Sequence, residues 1–536
     1  MLTMLLCAAF ACHALFVSPN GSDQTGDGSQ QSPYASLHKA SDEANPGDTI
    51  YVRGNAGPFT SIQTISCNGT GNDWIVVKPY QDEQPVIDPG IDPRADCETP
   101  DWPIPNILSI KEASYVIVEG IEARNFCGRA MQILWCEHIV VRNCLFHDVF
   151  EGGVNMSGEH IVFEHNEIHH ACLKNEDGAI EAGWAWPATS STHPSGRDRD
   201  SRHITYRHNY VHDSWGEGFI ALRADSVIIE HNTFANLWAI MTYMDYAVNV
   251  TIRHNHYYAD DPAFNRKQLL DWPAAAIAWS TEGGPTYPDY KTDRAIEHVE
   301  ITNNIIAGAG RGLQFFYYGS NSIENQTYRD FLIAHNVFVD IAGDRAIETS
   351  EVPADKPQPQ DITFVNNIVG SGVRGNQALR TLKIGRPGEG DDIAGWEFSN
   401  NCWIDGIPEA GLHPGAIEGD PGFVGDDIGS PESFQLIADS RCIGAGAALE
   451  QVSIDFSCAP RVTEAPAIGA WTYGATRIYS RATAALGARR MRRTDALYTP
   501  LGRRTPRANA AAPGVFVQYT GQRGARRCLE IRPAGR

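Results

Sequence analysis

The amino-acid sequence predicts an all-β solenoid, a parallel β-helix, and three observations carry that expectation. A short strand phrase recurs along the 536 residues as "HIVFEHNEI", "HITYRHNYV", "SVIIEHNTF", "NVTIRHNHY" and "DFLIAHNVF". The positions flanking its Asn are apolar in fixed columns. The distance between copies keeps returning to 22 or 23 residues, the period of a coil that must stack on its neighbours to bury one continuous core.

Aligned on one column, the copies place Ile121, Cys144, Asn166, Asn209, Asn232, Asn255, Asn304, Asn336, Asn367 and Asn401 at the same point of the coil. Five residues earlier stand Val116, Ile139, Ile161, Ile204, Val227, Val250, Val299, Phe331, Ile362 and Trp396, all apolar. Two residues later the set from Ala123 and Phe146 to Val369 and Trp403 is apolar as well. Two residues before the column, Glu119, Arg142, Glu164, Arg207, Glu230 and Arg253 alternate in sign, as expected if opposite charges face each other at the ~4.8 Å strand spacing. An Asn amide carries donors and acceptors, so a stacked column of Asn predicts a coil-to-coil hydrogen-bond ladder. His165, His208, His231, His254 and His335, beside it, alternate with Asn143, Asn303, Asn366 and Asn400, which favours a turn position over a column of metal ligands.

Ahead of the solenoid, "MLTMLLCAAFACHA" is a short apolar run ending in small residues and reads as a signal peptide over 1–14. No later stretch approaches the ~18 apolar residues of a membrane span. The expectation is a soluble protein exported to the extracellular space or periplasm. With 42% hydrophobic and 20% charged residues the chain can bury a large core. Cys67 with Cys97 and Cys442 with Cys458 are candidate loop staples, with connectivity left open, and no CxxC pair marks a structural zinc site. Residues 477–536 hold 14 Arg against Asp495 and Glu530, a local charge of +12 in a chain of net −22. That stretch lacks hydrophobic periodicity, so 476–536 is expected to be a disordered, Arg-rich extension.

"FVSPNGSDQTGDGSQQSPYASLHKASDEANPGDTIYVRGN" resembles the N-terminal cap and first coil of secreted right-handed parallel β-helix proteins of the pectin-lyase-like superfamily, and "SFQLIADSRCIGAG" with "PAIGAWTY" resembles their closing segment. The resemblance covers roughly residues 15–475. It implies a right-handed parallel β-helix of about ten or more coils with long loop insertions on one face. It also implies carbohydrate chemistry, since the superfamily holds polysaccharide lyases, glycoside hydrolases, epimerases and non-enzymatic surface proteins.

The insertions point to a site. Residues 184–200 and about 256–296 are aromatic-rich excursions, and Trp184, Trp186, Tyr243, Trp272, Trp279 and Tyr287 are the candidate sugar-binding surfaces. Between them "EGGVNM", "DGAIEA" and "EGFIAL" place Glu151, Asp177 and Glu217 on successive coils. Glu151 and Glu217 each lie 15 residues before their column Asn, so the three acids are expected to stack. Stacked carboxylates raise a pKa or recruit a cation, and Ca2+ held by Glu151 and Asp177 is the metal expectation.

Two reactions suit this set. In calcium-assisted β-elimination of an acidic polysaccharide, Lys174 is the base and Arg223 neutralises the uronate. In glycoside hydrolysis, Glu217 pairs with Asp177 or Asp245. The third reading is a non-catalytic glycan-binding or structural β-helix. Arg223 and Asp245 align across neighbouring coils if one residue bulges, and a purely structural pair is the competing account. The partner is then a polysaccharide. The acid-rich body argues against nucleic acid, and a monomer is expected.

Overall fold

In the computed structural model, each turn of the chain gives one strand to each of three parallel sheets. The structure describes residues 13–98, 103–176, 187–194, 200–266, 272–282, 294–316, 327–343, 345–349, 352, 356–370, 382–383, 395–407, 415–474, 516–517 and 531–532. The first sheet runs from Ala14–Val17 through Ser201–Arg207, Ala224–Glu230 and Val248–Arg253 to Trp396–Ser399. The second includes Asn106–Lys111, Glu217–Leu222, Ile240–Asp245, Ala275–Ser280 and Arg311–Phe316, and the third runs from Val86–Ile87 to Ile417–Glu418. Two long strands, Arg129–Arg142 and Gly152–Glu164, bend from the second sheet into the first.

The predicted columns are the observed register. Val116, Ile139, Ile161, Ile204, Val227, Val250, Val299, Phe331, Ile362 and Trp396 pair in succession up the first sheet. Ala123, Phe146, Ile168, Val211, Phe234 and Tyr257 do the same in the third. Side chains alternate across a strand, so each such column is a vertical stripe of the core. Between the two stripes the chain turns a corner, where His165, His208, His231, His254, Asn303, His335, Asn366 and Asn400 all have φ between 51° and 59°. These residues hold the left-handed conformation that the corner requires.

The Asn after each of them points inward and builds the ladder. Asn166 Oδ1 accepts from the N–H of Cys144 at 2.9 Å, and the same bond repeats from Asn166 to Asn209, Asn232, Asn255, Asn304, Asn336, Asn367 and Asn401 at 2.8–3.0 Å. Each Nδ2 reaches back to a carbonyl, as Asn232 does to Tyr206 at 2.8 Å, so every buried amide nitrogen of the ladder has a partner. The outer charge column also forms: Arg142 meets Glu119, Arg207 meets Glu164 and Arg253 meets Glu230, each at 2.7 Å.

At the bottom, the helix Leu37–Glu43, capped by Ser36, buries Leu37 and Ala40 over the first coils. At the top, the chain does not stop at the last coil. Residues from about 420 to 471 turn back down the outside of the third sheet and bury Ile428, Phe434, Leu436, Phe456, Ile468 and Trp471 against Ile305, Val337, Val339, Ile368 and Cys402. This return strap is sewn to the corner residues. Asn400 donates to Ala445 O, Asn366 to Ala447 O and Asn303 to Ile454 O, and lower still Cys458 Sγ lies 3.7 Å from His231 Nε2.

The cysteines differ from the expected staples. Cys97 is joined to Cys127, Cys67 is buried as a free thiol, Cys442 sits against Cys402, and Cys458 faces His231. Among the described residues no helix is long and apolar enough to cross a membrane. Residues 1–12 of the expected signal peptide lie outside the described residues. Of the Arg-rich extension, only Phe516–Val517 and Ile531–Arg532 are described, as an antiparallel pair in a unit separate from the solenoid.

Candidate active site

The outer face of the second sheet is where the site-type residues gather. Ile220, Tyr243 and Ala278 occupy one outward column there, with Leu222, Asp245 and Ser280 two positions further on. Glu217 opens its strand where the chain passes between Cys172 and Pro187. A side chain at the neighbouring Gly218 would come within 2.2 Å of Met241 O, so only glycine lets the strand lie this close.

Glu217 is the group most altered by its surroundings. It is 4% exposed, and its carboxyl makes no hydrogen bond among the described residues. Burial pushes its pKa up to about 8, helped by the carboxylates of Glu282 and Asp245 and opposed by Arg266, so it is protonated at neutral pH. Tyr243 OH donates to Glu282 Oε2 at 2.7 Å, and burial together with Asp245, Glu282 and Glu217 drives the phenol well above its ordinary value. Arg266 lies over the ring of Trp238 at 5.2 Å and Arg311 over Trp272 at 5.5 Å. The face thus combines a neutral carboxylic acid, two further carboxylates and two guanidinium groups seated on indoles.

Other expected residues are placed differently. Lys174 donates to Glu151 Oε2 at 2.7 Å, so the expected base and the expected metal ligand are partners in an ion pair. The stack of Glu151 with Glu217 does not form. The strand Gly152–Glu164 is one residue shorter than its neighbour between Met156 and Gly158, so counting 15 back from Asn166 overshoots, and Gly152 shares the rung of Ala188 and Glu217. Arg223 is held by Asp200 at 2.8 Å, and Asp200 also takes Arg294 at 2.9 Å. Asp245 stands opposite Leu222 rather than Arg223, and the Arg223 N–H donates to the Asp245 backbone oxygen at 2.7 Å.

Trp279 is not a sugar platform. It faces inward in the column of Met244 and Phe315 and is 1% exposed. Trp272 is half-buried beside Arg311. Trp184, Trp186, Tyr287 and Asp177 lie outside the described residues. Glu282 and Arg266 were missed by sequence reasoning, since both lie within the 256–296 excursion and belong to no repeated column.

A calcium ion takes 6–8 oxygen ligands. Of the expected ligands, Glu151 is engaged by an ammonium and sits off Glu217's rung. Among the described residues the grouping that brings three metal-type ligand atoms within 4.8 Å of one another is His231, His254 and Cys458, elsewhere on the molecule. Asp177, the other expected ligand, lies outside the described residues.

Residues 15–189 match the family model described as "Pel9A-like, right handed beta helix region". The chain is a right-handed parallel β-helix of the pectin-lyase-like superfamily. Within this superfamily it is similar to pectate lyase PEL9 of Emericella nidulans, 35% identical over 105 residues, which cover 19% of the chain and 25% of that protein. It is also similar to a pectate trisaccharide-lyase of Bacillus licheniformis, 26% identical over 145 residues, 24% of the chain and 38% of the relative. This pectin-lyase-like chain therefore spans well under half the length of these curated relatives. Solved structures similar to it include pectate lyase Pel9A, with 14% identity, a TM-score of 0.44 and coverage of 87% and 97% of the two chains. A complex of XylC with xylose has 12% identity, a TM-score of 0.49 and coverage of 86% and 98%.

Proposed function

We propose that this β-helix is a glycan-cleaving enzyme that hydrolyses a glycosidic bond on the outer face of the second sheet, with Glu217 as the general acid. The observation that carries this reading is a buried carboxyl, free of hydrogen bonds among the described residues, that keeps its proton at neutral pH beside two other carboxylates. Environments that push neighbouring acids apart in pKa divide the acid and base roles of glycoside hydrolysis. Glu217 gives its proton to the leaving oxygen. Asp245 or Glu282 serves as the second carboxylate, and Tyr243 fixes Glu282 through its hydroxyl. Arg266, seated over Trp238, suits an acidic sugar, whose carboxylate a planar guanidinium can grip, whereas Arg311 is already paired with Glu348 at 2.8 Å.

A second reading, β-elimination of an acidic polysaccharide, is favoured by the two relatives named as lyases. Lys174 is a poor base for it while its ammonium is spent on Glu151. We also read the chain as exported, on the apolar run before Leu15 and on the Cys97–Cys127 disulfide, which persists in oxidising compartments.

A panel of acidic and neutral polysaccharides, followed for reducing ends and for the ultraviolet absorbance of an unsaturated sugar, separates the readings. Reducing ends alone are expected. Both signals together would replace hydrolysis by elimination, and neither signal on any glycan would leave only binding.

A further inference from the structure

We infer that His231, His254 and Cys458 form a zinc site that clips the return strap to the wall of the helix. The three come from places far apart in the sequence: two successive coils supply the histidines and the strap supplies the thiol. Their ligand atoms all lie within 4.8 Å of one another. Cys458 Sγ and His231 Nε2, 3.7 Å apart, already stand at the ~3.5 Å that two ligands of tetrahedral zinc take, and the widest pair closes by about 1 Å on binding. The His231 and His254 rings are stacked at 4.7 Å, so their nitrogens face the strap from adjacent rungs.

Ordinary packing accounts poorly for this corner. Higher up the corner column, Asn400, Asn366 and Asn303 each hold the strap by a hydrogen bond to a carbonyl, and His335 between them pairs its Nε2 with Asn366 Nδ2 at 3.0 Å. At its lowest point two imidazoles and a thiol meet instead: Cys458 Sγ makes only a weak S–H···N contact with His231, and His254, whose Nε2 stands 3.3 Å from Asn303 Nδ2, has no partner for its buried Nδ1 among the described residues. Arg461 lies close by, but its donors are spent on Asn303 Oδ1 and on the carbonyls of Ile454, Gly469 and Ala470. On binding, zinc takes the place of the Cys458 thiol proton, which passes to solvent. Cys458 is only half-buried, so solvent reaches the fourth coordination position, as in zinc centres with three protein ligands.

The test uses the full chain without a polyhistidine tag, stripped with a chelator and then titrated with zinc. About one zinc per chain is expected, with a melting temperature that climbs as zinc is added. Cobalt in place of zinc should give a thiolate-to-metal charge-transfer band. Cys458→Ser should lose the band, the bound zinc and the zinc-dependent rise in melting temperature. His231→Asn should do the same while staying folded, because Asn fills this corner position on other coils. Stoichiometric zinc that survives both substitutions, or no stoichiometric zinc in the parent chain, would overturn the site.

Discussion

Single residues carry the chemistry, and Glu217 is the one whose protonation is set by its place. Its proton is needed for catalysis, so turnover should fall as the pH passes about 8, and Glu217→Gln should lower it by ~10²–10⁴-fold in the same assay. The same group ties stability to pH. Its folded pKa stands at about 8 against an ordinary 4.5, so below pH 4.5 it contributes its full share. That share is lost as pH rises through the interval, because the unfolded chain ionises there while the folded one does not. Melting curves from pH 4.5 to 8 should therefore decline less steeply for Glu217→Gln than for the parent. A pair of tryptophans offers a contrast read by denaturant unfolding: Trp279→Ala, in the core, should cost ~3–5 kcal/mol, whereas Trp272→Ala should cost far less stability and weaken glycan binding instead. Residue identity alone did not reveal this difference. Both lie in one aromatic-rich stretch, and only strand alternation through Ala275–Ser280 sends Trp279 inward.

Strands and corners repeat, and that is why so much of the fold was legible. Register in a sheet has period two, so a slip of one residue would turn every core side chain outward; a sequence that keeps its apolar columns through ten coils has written its own register. The Asn ladder was legible for the same reason. Removing one member, as in Asn232→Ala, strands the N–H of Asn209 in the interior, at a cost of ~1–3 kcal/mol for that group alone, measurable by denaturant unfolding. The charge column is weaker. Arg207→Glu sets like charges against Glu164 and Glu230, and the expected loss of ~1 kcal/mol should shrink as salt is added. The candidate site was read less well because it departs from repetition. One missing residue near Gly158 shifted Glu151 off the expected rung, and Glu282 and Arg266 come from within the 256–296 excursion, where no column predicts what faces what.

At the scale of the molecule, a solenoid holds only its neighbours together, and its stability is close to a sum of coil terms and interfaces. The helix Leu37–Glu43 closes one end. The return strap adds contacts between residues well over a hundred positions apart, such as His256 Nε2 with Ile428 O at 2.8 Å, and so binds several coils into one cooperative unit. A chain ending at residue 419 should bind a hydrophobic dye and unfold in more than one step, where the complete chain unfolds its upper coils together.

The strap also dictates an order of events during synthesis. Ile305, Val337, Ile368 and Cys402 leave the ribosome before the segment that shields them, and at ~5–20 residues per second the gap runs from a few seconds to a few tens of seconds. For that time the nascent chain carries a greasy flank several rungs tall, open to another unfinished copy or to a chaperone, and its last fifty or so solenoid residues are in effect its own late-arriving chaperone.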